Sequence, residues 1–113
     1  MKIERYSFGS ITIDGKTYTS DVIIYQERVD ASWWRKEGHN LNIVDLADVL
    51  KAKPEVLLVG TGSSGLMKVP KETLSHLESQ GIDVHVSLTA KAVELFNKLQ
   101  STKRVIAAFH LTC

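Results

Sequence analysis

Hydrophobic and polar residues in the second half of the chain follow a pattern that predicts three strands separated by two helices. The apolar run at 56–59 and the segment 104–111 are typical of buried strands in a parallel sheet. Residues 82–88 alternate between apolar and polar side chains, which predicts a strand with one covered face. This order of elements over residues 56–111 indicates α/β layering.

The helices are predicted from apolar spacing and from the residues at their ends. A short helix is expected from Val44 to Ala52, because Pro54 disfavours helical backbone before it. A second helix is expected over residues 70–80, with proline at its start and glycine after its end. Thr89 is predicted to be the N-cap of a third helix, whose apolar face contains Ala92, Leu95, Phe96 and Leu99.

The first third of the chain is predicted to be β-structure. Asp14-Gly15 separates short apolar segments and is a dipeptide favoured in tight hairpin turns. A second β-branched run covers residues 22–25. From residue 26 to 40 the pattern becomes irregular, with one short strand expected around Trp33-Trp34. We therefore predict a single α/β domain over residues 1–113, with an N-terminal β hairpin or layer added to a sheet flanked by helices.

Composition limits the classes of partner. The chain has 113 residues and a formal net charge of +1, and 43% of its residues are hydrophobic. A nearly neutral chain has no overall field that favours nucleic acid. No apolar run reaches the length needed to cross a bilayer, so no membrane insertion is expected. One cysteine, Cys113, and the lack of an apolar signal segment near residue 1 favour a cytoplasmic location.

A glycine-rich segment directly follows the apolar run at 56–59 and is the first candidate site. Its backbone is expected to turn sharply and leave amide groups open to a small anionic ligand. The candidate residues are Gly60, Thr61, Gly62, Ser63, Ser64, Gly65 and Lys68. The alternative is that the glycines only permit a tight exit from the strand.

Three established motifs resemble this segment, but none of them fits. The spacing G-x-G-x-x-G is present, yet the third glycine should open a helix, and residues 66–69 intervene before Pro70. In a Walker A loop a lysine should stand where Leu66 does. A nucleophile elbow needs one residue between the serine and the next glycine, and Ser64 precedes Gly65 directly.

The tryptophan pair is the second candidate site. Neighbouring residues in an extended segment point to opposite faces, so one tryptophan is expected in the core and the other at the surface. An exposed tryptophan beside an arginine is a plausible anchor for a partner protein. The candidate residues are Trp33, Trp34, Arg35 and His39. Replacing Trp34 and Arg35 by alanine is expected to abolish partner binding without lowering stability.

No cofactor, metal site or catalytic set is predicted. The histidines and the single cysteine do not form metal-ligand spacings, so ordinary hydrogen-bonded histidines are the expectation for His85 and His110. Asp45 and Asp48 lie at the start of a predicted helix, where capping explains them better than paired carboxylate chemistry does.

Several segments in order resemble a known family. They are Trp33-Trp34-Arg35, Gly38-His39, Asp45-Leu46, the strand and turn from Val56 to Gly62, Thr89-Ala90, Phe96 to Leu99, and Arg104 to Ala108. Their combination resembles the small domain shared by a mitochondrial respiratory complex I assembly factor and the adipogenesis-associated domain protein, with stand-alone prokaryotic members. The resemblance implies a three-layer fold with a central mixed sheet and one antiparallel core strand. It implies no established enzymatic activity.

The sequence leaves three functional hypotheses. The leading one is a non-catalytic binding or assembly module that acts through protein contacts. The second is a protein or enzyme that binds a small oxyanion, such as a phosphate-bearing metabolite, at residues 60–65. The third is a homo-oligomer formed by pairing an exposed sheet edge, with the Val105–Leu111 strand as the candidate edge.

Overall fold

A five-stranded mixed sheet forms the centre of the molecule. The computed structural model describes all 113 residues. The strands in this sheet are β4 (Val22–Ile24), β5 (Val29–Asp30), β6 (Val56–Gly60), β7 (Asp83–Ser87) and β8 (Val105–Phe109), in the spatial order β5-β4-β8-β6-β7. Strands β6, β7 and β8 are parallel, and β4 is antiparallel to β8. The mixed sheet and its antiparallel core strand are therefore confirmed.

A second sheet of three antiparallel strands contains β1 (Ile3–Ser7), β2 (Ser10–Ile13) and β3 (Lys16–Tyr18). The predicted hairpin is present: Asp14 and Gly15 join β2 to β3 with φ angles of 48° and 80°. Two positive φ angles in a two-residue loop match the twist of the flanking strands. This sheet is the added β layer that the sequence predicted.

Three helices cover the central sheet. They are α1 (Ala47–Ala52), preceded by a 3₁₀ helix over Ile43–Leu46, α2 (Lys71–Ser79) and α3 (Thr89–Leu99). The observed ends of α2 lie within one residue of the predicted range 70–80. Gly81 has a φ of 80°, which is the left-handed conformation typical of a glycine that follows a helix. The first predicted helix is divided into its 3₁₀ and α parts.

Two hydrophobic cores lie on opposite faces of the central sheet. Alternating side chains of β6 separate them, with Leu58 on one face and Leu57 on the other, and both are fully buried. The first core packs the three-stranded sheet and α3 against the central sheet. The second packs α1, α2 and Trp33 against the other face. The result is the predicted three-layer arrangement.

Two predictions about strands are wrong. Residues 33–34 form no strand, and the nearest one is Val29–Asp30. The strand at 105–109 is not a sheet edge, because it pairs with β4 on one side and β6 on the other. The edges of the central sheet are β5 and β7. An oligomer formed through the edge of β8 is therefore ruled out, since its backbone groups already bond within the sheet.

No helix combines the length and the apolar character that a transmembrane span requires.

Candidate functional site

The loops at the carboxyl ends of β6 and β8 meet the segment 35–40, and three of the four buried polar residues, Thr61, Thr89 and His110, lie in this region. The main-chain amide of His110 donates to the carbonyl of Gly60 at 2.9 Å, so the ends of the two strands are tied together. In open α/β sheets, ligands bind outside the carboxyl ends of the parallel strands. A ligand site is therefore expected at this end of the sheet.

Three charged or titratable side chains form a compact cluster here. Asp21 Oδ2 accepts from Arg35 Nη1 at 2.7 Å and lies 2.8 Å from His110 Nδ1. The side chains of Arg35 and His110 are each 7% exposed. Asp21 Oδ1 accepts from the amide of Leu111 at 2.8 Å. Every charge in the cluster is thus paired, as burial requires.

The cluster also fixes the ionisation of Asp21. Burial by itself would raise the pKa of this carboxyl group, but hydrogen bonds from His110, the Leu111 amide and Arg35 hold the pKa below its ordinary value of 3.8. A carboxylate with several donors is favoured in its charged form. Because an ionised carboxylate can only accept, His110 Nδ1 is the donor in its contact with Asp21.

The second nitrogen of His110 has no partner. Its Nε2 atom is buried and makes no hydrogen bond. The adjacent ring atom Cδ2 lies against Gly62, only 2.8 Å from the point that a Cβ on this glycine would occupy. A buried polar atom without a partner costs free energy, so this nitrogen is the one unsatisfied polar group of the cluster.

The amides of the glycine loop are mostly not open. Those of Thr61, Gly62 and Ser63 donate to Ser87 O, Thr89 Oγ1 and Thr112 O, respectively. The expectation of open amides is therefore wrong for these three residues. The physical reason is that the end of β7, the first residue of α3 and the segment after β8 each supply one acceptor, and the sequence pattern could not reveal these long-range contacts.

Thr89 joins the loop to β8 and is not the predicted N-cap. It is the first residue of α3, and Leu88 precedes the helix. Its hydroxyl donates to the carbonyl of His110 at 2.7 Å and accepts from the Gly62 amide at 2.9 Å. Its side chain is completely buried. The two hydrogen bonds therefore satisfy the hydroxyl of Thr89, which cannot bond water.

The tryptophans lie on opposite sides of the chain, as expected. Trp33 is buried in the core, and its Nε1–H donates to the carbonyl of Asp45 at 3.0 Å. Trp34 is 75% exposed. Arg35 is not a surface anchor beside it, because its guanidinium bonds Asp21 and the carbonyl of Gly38. These buried contacts argue against the expectation that Arg35 can be removed without loss of stability.

His39 connects the tryptophan segment to the cluster. It is exposed, and its ring meets that of His110 edge to face, with centroids 5.8 Å apart. Its carbonyl accepts from the amide of Lys68 at 2.8 Å. The two candidate segments, 33–39 and 60–68, are thus neighbours, which was not predicted.

A groove of about 340 Å³ lies beneath Trp34. Its apolar wall includes Ile23, Tyr25, Trp33 and Val44, and Val44 is 64% exposed. Asp30, Asp45 and Asp48 supply its charges, while no lysine or arginine lines it. Asp45 also caps the 3₁₀ helix by accepting from the Asn42 amide at 2.8 Å, as predicted.

No group of three or more potential metal ligands is brought together. Sequence reasoning missed Asp21, because its role depends on the pairing of β4 with β8. The register places Val22 opposite Phe109, so Asp21 comes to lie beside His110. The sequence carried only a combined signal for this pair: Asp21 directly precedes the buried strand β4, and His110 directly follows the buried strand β8.

Comparison with known proteins gives the same fold and a family. A family model described as a protein of unknown function (DUF498/DUF598) matches residues 3–110. The chain belongs to this family. A conserved hypothetical protein of Pyrococcus horikoshii is 32% identical over the whole of both chains, with a TM-score of 0.86. A Mth938-like domain protein of Bordetella pertussis, at 22% identity and a TM-score of 0.77 over 97% of this chain and 85% of that one, shares the fold.

The DUF498/DUF598 chain also has a curated relative with a named role. It is 29% identical over 111 residues to the Xenopus tropicalis NADH dehydrogenase (ubiquinone) 1 alpha subcomplex assembly factor 3. The alignment covers 96% of this chain and 59% of the assembly factor, so the chain spans well under two thirds of that relative. The resemblance drawn from the sequence motifs is confirmed.

Proposed function

We propose that this domain is a non-catalytic binding module that helps to assemble protein complexes by docking a partner segment in the groove beneath Trp34. The likeness to an assembly factor supports a role in protein contacts. The groove supplies a surface with the chemistry for it.

The exposure of Trp34 is the observation that carries this proposal. A tryptophan that is 75% exposed beside a valine that is 64% exposed leaves a large apolar area in water, which monomeric proteins usually avoid except at binding sites. Tryptophan is also strongly enriched among the residues that dominate binding energy. Its neighbour Trp33 is held by the core and keeps the segment in place.

Charge defines the chemistry of the partner. The three aspartates that line the groove form no salt bridge within the chain, because the ion pairs of the molecule involve Asp21 and Asp83. A cation from outside would therefore meet carboxylates that have no ion-pair partner, although Asp30 and Asp45 also accept hydrogen bonds from main-chain amides. The occupant we expect is a segment of another protein with an apolar side chain flanked by lysine or arginine.

A peptide titration tests this proposal. Peptides with a central leucine or phenylalanine flanked by lysine or arginine are compared with peptides of the same apolar centre flanked by glutamate. The indole N–H signals in NMR spectra report the result: both tryptophans line the groove, and the exposed Trp34 should shift more on binding than the buried Trp33. We expect the basic peptides to bind and Trp34→Ala to weaken that binding by about tenfold or more, which corresponds to a loss above about 1.4 kcal/mol.

Matched variants make the outcome decisive. Phe8 is 63% exposed and lies outside the groove, so Phe8→Ala should leave binding unchanged. Asp48→Lys should weaken it, because Asp48 is exposed and its charge lines the groove. Equal binding of basic and acidic peptides would refute the proposed partner chemistry. Concentration-dependent dimerisation that is lost in Trp34→Ala would instead show that a second copy occupies the groove.

A further inference from the structure

We propose that the hollow between the glycine loop and His110 is a binding site for a small oxyanion that also carries a hydroxyl hydrogen, and that residues 112–113 occupy it in the absence of ligand. This inference does not depend on the groove beneath Trp34. It rests on the groups that surround the hollow and on what now satisfies them.

The segment after β8 fills the hollow with oxygen atoms. Thr112 O accepts from the Ser63 amide at 2.6 Å. The main-chain oxygen of Cys113 accepts from the Leu66 amide at 2.8 Å and from Ser64 Oγ at 3.0 Å. Two N–H groups and one hydroxyl thus converge on acceptors, which is how backbone concavities hold anions.

Gly62 sets the shape of the hollow. Its φ is 109°, and a Cβ atom there would lie 2.4 Å from the Cys113 carbon and 2.8 Å from His110 Cδ2. The edge of the imidazole ring and the backbone of residue 113 therefore approach the same point. Only a residue without a side chain permits this close approach.

His110 Nε2 is an independent observation that points to a ligand at this place. The side chain is only 7% exposed, and this nitrogen has no partner. Because the Asp21 carboxylate can only accept, His110 Nδ1 carries the hydrogen of their 2.8 Å contact, and Nε2 is then an acceptor in the neutral form of the ring. A carbonyl oxygen of residues 112–113 cannot satisfy it, since a carbonyl has no hydrogen to donate.

The chemistry of the ligand follows from the donors on the glycine loop and from the acceptor at His110 Nε2. Its oxygen atoms must accept from Ser63 N, Leu66 N and Ser64 Oγ, and it must donate one O–H to His110 Nε2. Hydrogen phosphate and 2-hydroxycarboxylates both meet these conditions. Lys68, which is exposed and whose amide bonds His39, adds a positive charge to the same loop.

Residues 112–113 lie outside the sheet, and their hydrogen bonds to the glycine loop are the ones that a ligand would replace. Leu111 is buried, and its carbonyl accepts from Tyr6 Oη and the Gly9 amide at 2.9 Å each. The next two residues belong to no strand, and Thr112 is exposed. Displacement would therefore turn the backbone after Leu111, and the hydrogen bonds that residues 112–113 lose would be replaced by those of the ligand.

The test compares two pairs of anions on the full chain by NMR. Phosphate and glycolate carry the required hydroxyl, whereas sulfate and acetate lack it. We expect saturable shifts of the Ser63 and Leu66 amides and of the His110 ring with the first two, and binding about tenfold weaker with the second two. The amides of Thr112 and Cys113 should move toward the positions of unstructured residues in the same titration.

Two variants sharpen the result. Deleting residues 112–113 should tighten phosphate binding about tenfold, because the competing acceptors are removed, and Ser64→Ala should weaken it by about the same factor. Ser75→Ala, on the exposed face of α2, is the control that should change nothing. No saturable shift in the full chain, or equal affinity for phosphate and sulfate, would overturn the proposal. The titration of the full chain decides the matter even if the shortened chain does not fold.

Discussion

Two adjacent residues, Trp34 and Arg35, offer the sharpest test of the tertiary structure. Sequence places them side by side as surface residues, but the structure exposes 75% of Trp34 and only 7% of the Arg35 side chain. The test is to replace each by alanine separately and to compare the free energies of unfolding. We expect Arg35→Ala to be strongly destabilising and Trp34→Ala to be nearly neutral.

The expected loss of unfolding free energy in Arg35→Ala follows from the contacts of the Arg35 side chain. Its guanidinium donates to Asp21 Oδ2 and, through Nε and Nη2, to Gly38 O, and it lies 4.8 Å from the ring centroid of Trp33. Removing one partner of a buried ion pair costs about 3–5 kcal/mol. Asp21 keeps its contacts to His110 and the Leu111 amide and is 18% exposed, so we expect a smaller loss of about 2–3 kcal/mol.

Thermal unfolding measured by circular dichroism checks this value. An unfolding entropy of about 2.1 cal/mol/K per residue over 113 residues gives a Tm change of about 4 °C per kcal/mol. Arg35→Ala should therefore lower Tm by about 8–12 °C. Trp34→Ala should change it by no more than about 2 °C, since exposed substitutions usually stay within about 0.5 kcal/mol.

A conservative variant separates charge from geometry. Arg35→Lys keeps the positive charge but cannot bond Asp21 and Gly38 O with one planar group, so its Tm should lie between those of the wild type and Arg35→Ala. Equal small effects of Arg35→Ala and Trp34→Ala would show that the guanidinium is not held inside, and the cluster described above would then be wrong.

Three further predictions concern the same end of the sheet. Because the folded pKa of Asp21 is lowered below 3.8, its stabilising contribution is complete above that pH and is lost as the pH falls through the folded pKa; the Tm difference between wild type and Asp21→Asn should therefore be constant at neutral pH and shrink in acid. Gly62→Ala should lower the free energy of unfolding measured in urea, because its Cβ would lie 2.4 Å from the Cys113 backbone and its φ is 109°. Gly38→Ala is the control and should not destabilise the protein, since no atom lies within 4 Å of the position of its Cβ. Thr89→Val should cost about 1–3 kcal/mol in the same assay by leaving the buried Gly62 amide unpaired, and Thr89→Ser should restore most of the loss; an unchanged midpoint in Thr89→Val would contradict the bridging role of its hydroxyl.

Local sequence determined the elements of this protein. The Asp14-Gly15 turn, the end of the first helix before Pro54 and the end of the second at Gly81 all depend on backbone preferences that act within a few residues. The alternation of residues 83–87 and the apolar run at 56–59 predicted their strands for the same reason. The motif resemblance supplied the antiparallel core strand, which periodicity does not encode.

Only the tertiary structure decided how these elements meet. Asp21 and His110 are 89 residues apart in the chain, and the register of β4 against β8 alone brings them together. The burial of Arg35 and the closing of the glycine loop by residues 112–113 are likewise long-range contacts. Hydrogen bonds between distant segments leave no periodic trace in a sequence, so the open loop and the exposed arginine were natural expectations that the folded chain reversed.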